Sequence, residues 1–227
     1  MARPRSFDTD EVLTLAMLQF WAHGYEATSI RDLETATGLR APSLYGAFGD
    51  KETLFTAALQ RYLDVVIVPA VEAAAGLGLV GIRLMFSTVA DKDPELPKGC
   101  LLAVTSSEAG ALGRPPLDVL DAGLAEIRTA LCAGLEQAIE GGALDPTVDA
   151  PATADALLAL YQGIQVLLRS GPDHVDVAAI SDSVLDRLVP APPTRPTDGG
   201  WLHRERGSKS AAPQRSRLSG AENGIDQ

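Results

Sequence analysis

Apolar residues along this chain return at three- and four-residue intervals far more often than they alternate, which predicts helices almost throughout. Val12, Ala16 and Phe20 share one face of a first helix that starts at Asp8, a fair N-cap, and runs to His23 before Gly24 stops it. Ser29 opens a second helix with Asp32 three residues on to answer it, and Ile30, Leu33 and Ala36 keep the period until Gly38. The third starts at once: Pro42 suits its first turn, Leu44 and Phe48 point inward, and Ser43, Tyr45, Gly46 and Ala47 face out. Asp50 caps a fourth, whose Leu54, Ala58 and Leu59 pack inward. It continues through Leu63 and Val66 until Pro69 or the glycines at 76–81 interrupt it. Further helices are predicted near 79–90, 98–110, 116–140, 151–170 and 173–189, punctuated by Asp93-Pro94, Gly113–Pro116, Gly141-Gly142 and Gly171-Pro172.

Two short helices hinged at Gly38 inside a longer amphipathic frame make a helix-turn-helix pattern. A second helix exposing small, hydroxyl and aromatic residues suits the major groove of DNA. Several spaced features accompany it: Phe20 with Gly24-Tyr25, the run Thr28-Ser29-Ile30, Gly38-Leu39, Pro-Ser-Leu-Tyr at 42–45, and Phe48-Gly49-Asp50-Lys51-Glu52 with Leu54-Phe55. On these residues the stretch from about Phe7 to Tyr62 resembles the DNA-binding domain of the TetR, or tetracycline-repressor-like, family of bacterial regulators. The resemblance implies an all-α homodimer of two domains. Residues 1–62 would be the helix-turn-helix DNA-binding domain and 63–189 the effector-binding and dimerisation domain, followed by a disordered tail at 190–227. The implied function is ligand-responsive repression of a double-stranded DNA operator, released by a small-molecule effector.

The DNA contacts expected are Thr28, Ser29, Arg31, Arg40, Ala41, Pro42, Ser43, Tyr45, Gly46 and Lys51. By resemblance, Arg31 matches a position that reaches a base edge, where a guanidinium takes guanine O6 and N7 together. Arg40 matches the residue entering the recognition helix, with a base or a phosphate as its partner. Lys51 sits in the first turn of the fourth helix, beside backbone N–H groups that favour phosphate, and Tyr45 either donates its hydroxyl to a phosphate or simply packs. Positions 46 and 47, often large or imidazole-bearing in the family, are Gly and Ala here, and neither hydrogen-bonds a base edge. Base reading then rests on Ser43, Arg31, Arg40 and apolar contact of Ala41, Pro42 or Ala47 with thymine methyls.

The net charge of −11 looks contrary to DNA binding until it is divided along the chain: −2 over residues 1–62, −11 over 63–189 and +2 over 190–227. Arg3, Arg5, Arg31, Arg40 and Lys51 can line one face while the acidic middle repels DNA, which orients docking and lowers non-specific affinity. The 227 residues, 46% of them apolar, suffice for a sizeable helical core. No apolar run approaches the roughly 18 residues that span a bilayer, so a cytosolic protein with no membrane partner is expected. Two cysteines, Cys100 and Cys132, and three scattered histidines offer no metal-ligand spacing, and neither metal nor cofactor is expected.

Downstream of the helix-turn-helix the signals are weaker. Met85, Phe86, Cys100, Glu108, Arg128, Tyr161 and Gln165 are candidates to contact an effector; of these Glu108, Arg128, Tyr161 and Gln165, like Gln162 and Arg169, are polar groups on otherwise apolar helices that line a cavity or face solvent or a partner subunit. Cys100 is a core filler or a reactive thiol. Leu157, Tyr161, Ile164, Leu168, Ile180 and Val184 recur at helical spacing and are expected to build a four-helix dimer interface. The competing class is a nicotinamide-dependent oxidoreductase, because Gly76-Leu77-Gly78-Leu79-Val80-Gly81 spells G-x-G-x-x-G after the strand-like Val65–Val68. Against it, an Ala-rich helical stretch separates the two, and no other catalytic motif is present, so the protein is not read as an enzyme. The tail, with its basic piece from Trp201 to Arg206, touches DNA or a partner or is merely solvated.

Overall fold

The computed structural model describes residues 7–90, 95–171 and 176–188. The predicted tail at 190–227, Arg3, Arg5 and the Asp93-Pro94 turn lie outside them. The described secondary structure is entirely helical. Helix α1 spans Thr9–His23, α2 Ile30–Thr37, α3 Ala41–Phe48 and α4 Lys51–Tyr62; the first three lie within a residue or two of their predicted bounds, and α4 starts where expected. Caps explain the agreement: Asp8, Ser29 and Asp50 each accept backbone N–H bonds at the helix they precede, and Ser29 with Asp32 closes a full capping box. Gly38 ends α2 in the left-handed conformation, φ 70°.

Beyond α4 the chain stays helical through Pro69. Leu63–Ile67 forms a π-helical turn whose wider bond from Val68 N–H to Leu63 O leads into α5, Val68–Ala74. A proline cannot donate to, and clashes with, the ladder of a regular helix, and the wide turn absorbs that conflict just ahead of Pro69. The strand-like look of Val65–Val68 is therefore not realised. Helix 51–74 reaches membrane-spanning length and composition, mean hydropathy 1.4 over its apolar window, which corrects the expectation that no segment approaches it. Its inward residues Leu54, Phe55, Leu59, Tyr62 and Ile67 are instead buried against protein.

Helix α6 (Gly78–Ala90), α7 (Leu101–Ser107, followed by a 3-10 turn at Ala109–Ala111), α8 (Arg114–Glu140), α9 (Ala150–Ser170) and α10 (Val177–Leu188) complete the fold. Helix α7 is shorter than the predicted 98–110. Its neighbours pack around the 27-residue α8, which touches α4, α6, α7 and α9, while α10 lies on α6. The glycine run at 76–81 joins two helices. A Cβ at Gly81 would stand 2.2 Å from the Ala74 carbonyl oxygen, so this glycine permits close approach of α5 and α6. The dinucleotide fingerprint needs a strand before its glycines, and here a helix precedes them.

Candidate nucleic-acid interface

Thr28 lies at the root of the helix-turn-helix. It is fully buried and its Oγ1 donates to the Gly24 carbonyl at 2.6 Å, fixing the turn that launches α2. Its side chain is therefore structural, a correction to its place among the DNA contacts. Ser29 accepts from Asp32 N–H at 3.2 Å; the Asp32 carboxylate in turn accepts from the Ser29 hydroxyl at 2.6 Å and from Ser29 N–H at 2.8 Å, two bonds that hold its carboxyl below the usual carboxylate range.

Helix α3, the second helix of the helix-turn-helix, leaves one face free. Pro42, Ser43, Tyr45 and Gly46 are exposed and Ala41 is half-buried, while Leu44 anchors the opposite side in the core. Arg31 and Arg40 line one open polar groove of about 390 Å³ together with Glu34, Thr35, Gly38 and Leu39. Two guanidinium groups thus stand on the surface from which α3 projects. Arg40 is the N-cap of α3 yet makes no side-chain capping bond. Glu34 of α2 does this instead, its Oε1 accepting from Ala41 N–H at 2.7 Å. Sequence reasoning missed Glu34, because it lies seven residues before its partner and only the packing of α2 on α3 brings it there.

Lys51 is half-buried with its Nζ 4.3 Å from the centroid of the Tyr25 ring, a cation–π contact. Burial lowers its pKa, against the opposing pull of the Glu108 and Glu26 carboxylates. The ring holds the ammonium near the start of α4, whose first turn Asp50 caps.

Two charged side chains from the C-terminal helices grip the turn between α1 and α2. The Glu108 carboxylate accepts from Tyr25 N–H at 2.7 Å and Glu26 N–H at 3.2 Å. A Cβ at Gly24, φ 88°, would sit 2.5 Å from Glu108 Oε1, so only glycine lets this carboxylate in. Arg169 of α9 donates to the Trp21 carbonyl at 2.7 Å and the Ala22 carbonyl at 3.0 Å. Trp21 Nε1 donates to Gly99 O at 3.3 Å, and Glu52 accepts from Gly113 N–H at 3.1 Å.

Of the effector candidates, the structure brings four together. Phe86 meets Tyr161 edge-on, centroids 5.5 Å apart, and both are buried with Cys100 and Gln165. The Tyr62 hydroxyl donates to Cys100 Sγ at 3.3 Å. Burial, and secondarily Cys100, pushes the Tyr161 hydroxyl pKa well up, with a hydrogen bond from Gln165 opposing. Met85 stands apart, lining an apolar cavity of about 110 Å³ between α5, α6 and α8. Glu108 is spent on the α1–α2 turn, and Arg128 pairs with Asp155 at the surface.

The expected dimer residues divide. Leu157, Tyr161 and Ile164 are 1%, 7% and 1% exposed within the single chain, so they cannot meet a second one; this corrects their assignment. Leu168, Ile180 and Val184 are half-buried and keep free surface. The opposite face of α9 exposes Val166 (54%) and Leu167 (46%) in line with Ala156, Ala159 and Gly163.

Comparison with known proteins bears on this arrangement. Residues 12–58 match the family pattern described as bacterial regulatory proteins, tetR family, and residues 82–179 match the tetracyclin repressor-like C-terminal domain. The HTH-type transcriptional repressor ComR of Escherichia coli (strain K12) is 32% identical over 198 residues, covering 83% of this chain and 91% of that protein. A cysteine mutant of the TetR family transcriptional regulator CifR, complexed with 26-base-pair double-strand operator DNA, superposes with a TM-score of 0.71. Its identity is 29%, over 83% of this chain and 100% of that one. E. coli NemR in its reduced form shares the fold at TM-score 0.70 and 19% identity, over 82% of this chain and 100% of that one. With both its N-terminal and C-terminal regions matched in order and a relative aligned along nearly its whole length, this chain belongs to the TetR family of bacterial regulatory proteins.

Proposed function

We propose that this chain is a sequence-specific transcriptional repressor that binds a double-stranded DNA operator as a homodimer and releases it when a small molecule occupies the C-terminal helices. The observation that carries the reading is the exposed face of α3, anchored from behind by Leu44 and flanked by Arg31 and Arg40 in one groove. A helix so presented enters the major groove with its small side chains against base edges, while Arg31, Arg40 and Lys51 meet bases and phosphates at its borders. The similarity to ComR, a named repressor, and to CifR, solved on its operator, supports the assignment. Residues 1–62 are then the DNA-binding part and 63–189 the effector-binding and dimerisation part.

Release follows from geometry. Two recognition helices must sit about one DNA turn, roughly 34 Å, apart to reach successive grooves. An effector that prefers a conformer with different spacing lowers affinity by population shift. The direct test is selection of bound fragments from random duplex DNA by the purified protein. A palindrome with half-sites about 10 base pairs apart is expected, and the absence of any enriched sequence would overturn the reading.

A further inference from the structure

We propose that Tyr161, Gln162 and Gln165 on α9, walled by Phe86 of α6, form the polar end of the effector site and take a small uncharged aromatic molecule bearing one hydroxyl group. This rests on the ligand-responsive reading above and adds the chemical class of the ligand.

Buried polar atoms in a folded core are almost always hydrogen-bonded. Gln165, 1% exposed, spends its amide on the Tyr161 hydroxyl and leaves Oε1 buried without a partner. Gln162, one turn earlier on the same helix, buries both Nε2 and Oε1 without partners. Residues three apart on a helix are neighbours, so the pair presents an acceptor and a donor side by side. A hydroxyl answers both at once, donating to Gln165 Oε1 and accepting from Gln162 Nε2. An ether only accepts and leaves Oε1 unmet; a carboxylate sets its oxygens against Oε1; an ammonium finds no carboxylate among these side chains.

The surroundings favour a ring. Phe86 and Tyr161 meet edge-on, the arrangement aromatic groups adopt with a further aromatic neighbour. Tyr161, Gln165 and Arg169 fall at i, i+4 and i+8, along one face of α9. A ligand that engages the first two acts on the helix face whose third member holds the end of α1.

Phenol is the probe, with toluene and anisole as controls that replace the hydroxyl by a methyl group or an acceptor-only ether, titrated calorimetrically into the full-length protein. Phenol is expected to bind once per chain and at least about tenfold more tightly than either control. In Gln165→Met, which substitutes an apolar chain of similar length and removes the unpartnered Oε1, that preference falls to within about twofold. No phenol binding, equal binding of phenol and a control, or a preference that survives Gln165→Met would each overturn the proposal. A fluorescent operator separates the two readings. Phenol bound without operator release leaves the site standing and removes the release mechanism. Release by another molecule, with no phenol bound, removes the site alone.

Discussion

Arg40 precedes the recognition helix without capping it, and the donor left at Ala41 is met by the Glu34 carboxylate at 2.7 Å. A carboxylate at a helix N-terminus gains from both the hydrogen bond and the dipole. Glu34→Ala should therefore cost about 0.5 to 2 kcal/mol, lower the melting temperature by a few degrees and weaken operator binding, whereas Glu34→Gln keeps the acceptor and most of the stability. An alanine variant that melts and binds like the parent would show that the cap is idle. Lys51 and Arg31 are expected to differ in kind. Lys51→Ala, removing a phosphate-directed charge held over the Tyr25 ring, should weaken every duplex nearly equally and reduce the salt slope by about one. Arg31→Ala should cost roughly 1 to 3 kcal/mol and relax preference at one base pair per half-site. Titrations at several salt concentrations on matched and altered operators decide between these roles; a Lys51 effect confined to one sequence would refute the division. At this scale the sequence was readable where a residue acts on its own neighbours, as Ser29 and Asp32 do in the capping box. It was silent on Glu34, and it misled on Thr28, which looks like a surface hydroxyl until the packed turn puts it at 0% exposure.

Helical periodicity marks the face of a helix that something buries, without saying whether that something is the same chain or another. The N-terminal elements were legible because caps, glycines and a proline fix their ends locally. The apolar stripe of α9 is equally legible, but its period suits a dimer seam as well as a core, and Leu157 and Ile164 are almost wholly buried within one chain. What remains for a partner is the other face, where Ala156, Ala159 and Gly163 allow close approach beside Val166 and Leu167, aided by the free parts of Leu168, Ile180 and Val184. On α10 the charged residues Asp182 and Asp186 are already engaged by Arg83 of α6. Val166→Glu with Ala159→Glu should therefore give a folded monomer with poor operator affinity, since two half-sites then bind separately. Leu157→Glu should fail to fold, because it puts a charge in the core. Light scattering and circular dichroism read both. A Val166/Ala159 double variant that keeps a dimer mass would place the interface elsewhere.

Across the whole molecule, DNA-binding and C-terminal helices are joined not by a loose linker but by the continuous helical stretch 51–74 and by the grip of Glu108 and Arg169 on the turn after α1. The grip was hidden from the sequence, which offered Glu108 and Arg169 as polar groups on apolar helices. Their partners are backbone groups about 80 and 150 residues away, and backbone partners leave no signature in the residues they belong to. Its physical effect is to tie the position of α2 and α3 to that of α7 and α9. Linkage requires that whatever couples effector to operator act through parts whose arrangement both ligands bias. Arg169 shares a helix face with Tyr161 and Gln165 while touching the α1 carbonyls, so it is the residue placed to do this. Arg169→Ala releases two carbonyls without emptying the core, since the side chain is only part-buried. Amide exchange at residues 21–28 should then quicken about tenfold or more while α8 stays protected, and operator affinity should fall because the recognition helices lose their fixed spacing. Hydrogen-exchange mass spectrometry on the free dimer, paired with operator titration, tests it. Unchanged protection at 21–28 would mean that α1 and Glu108 hold the turn unaided, and the route from α9 to the DNA-binding helices would have to run through α4 instead.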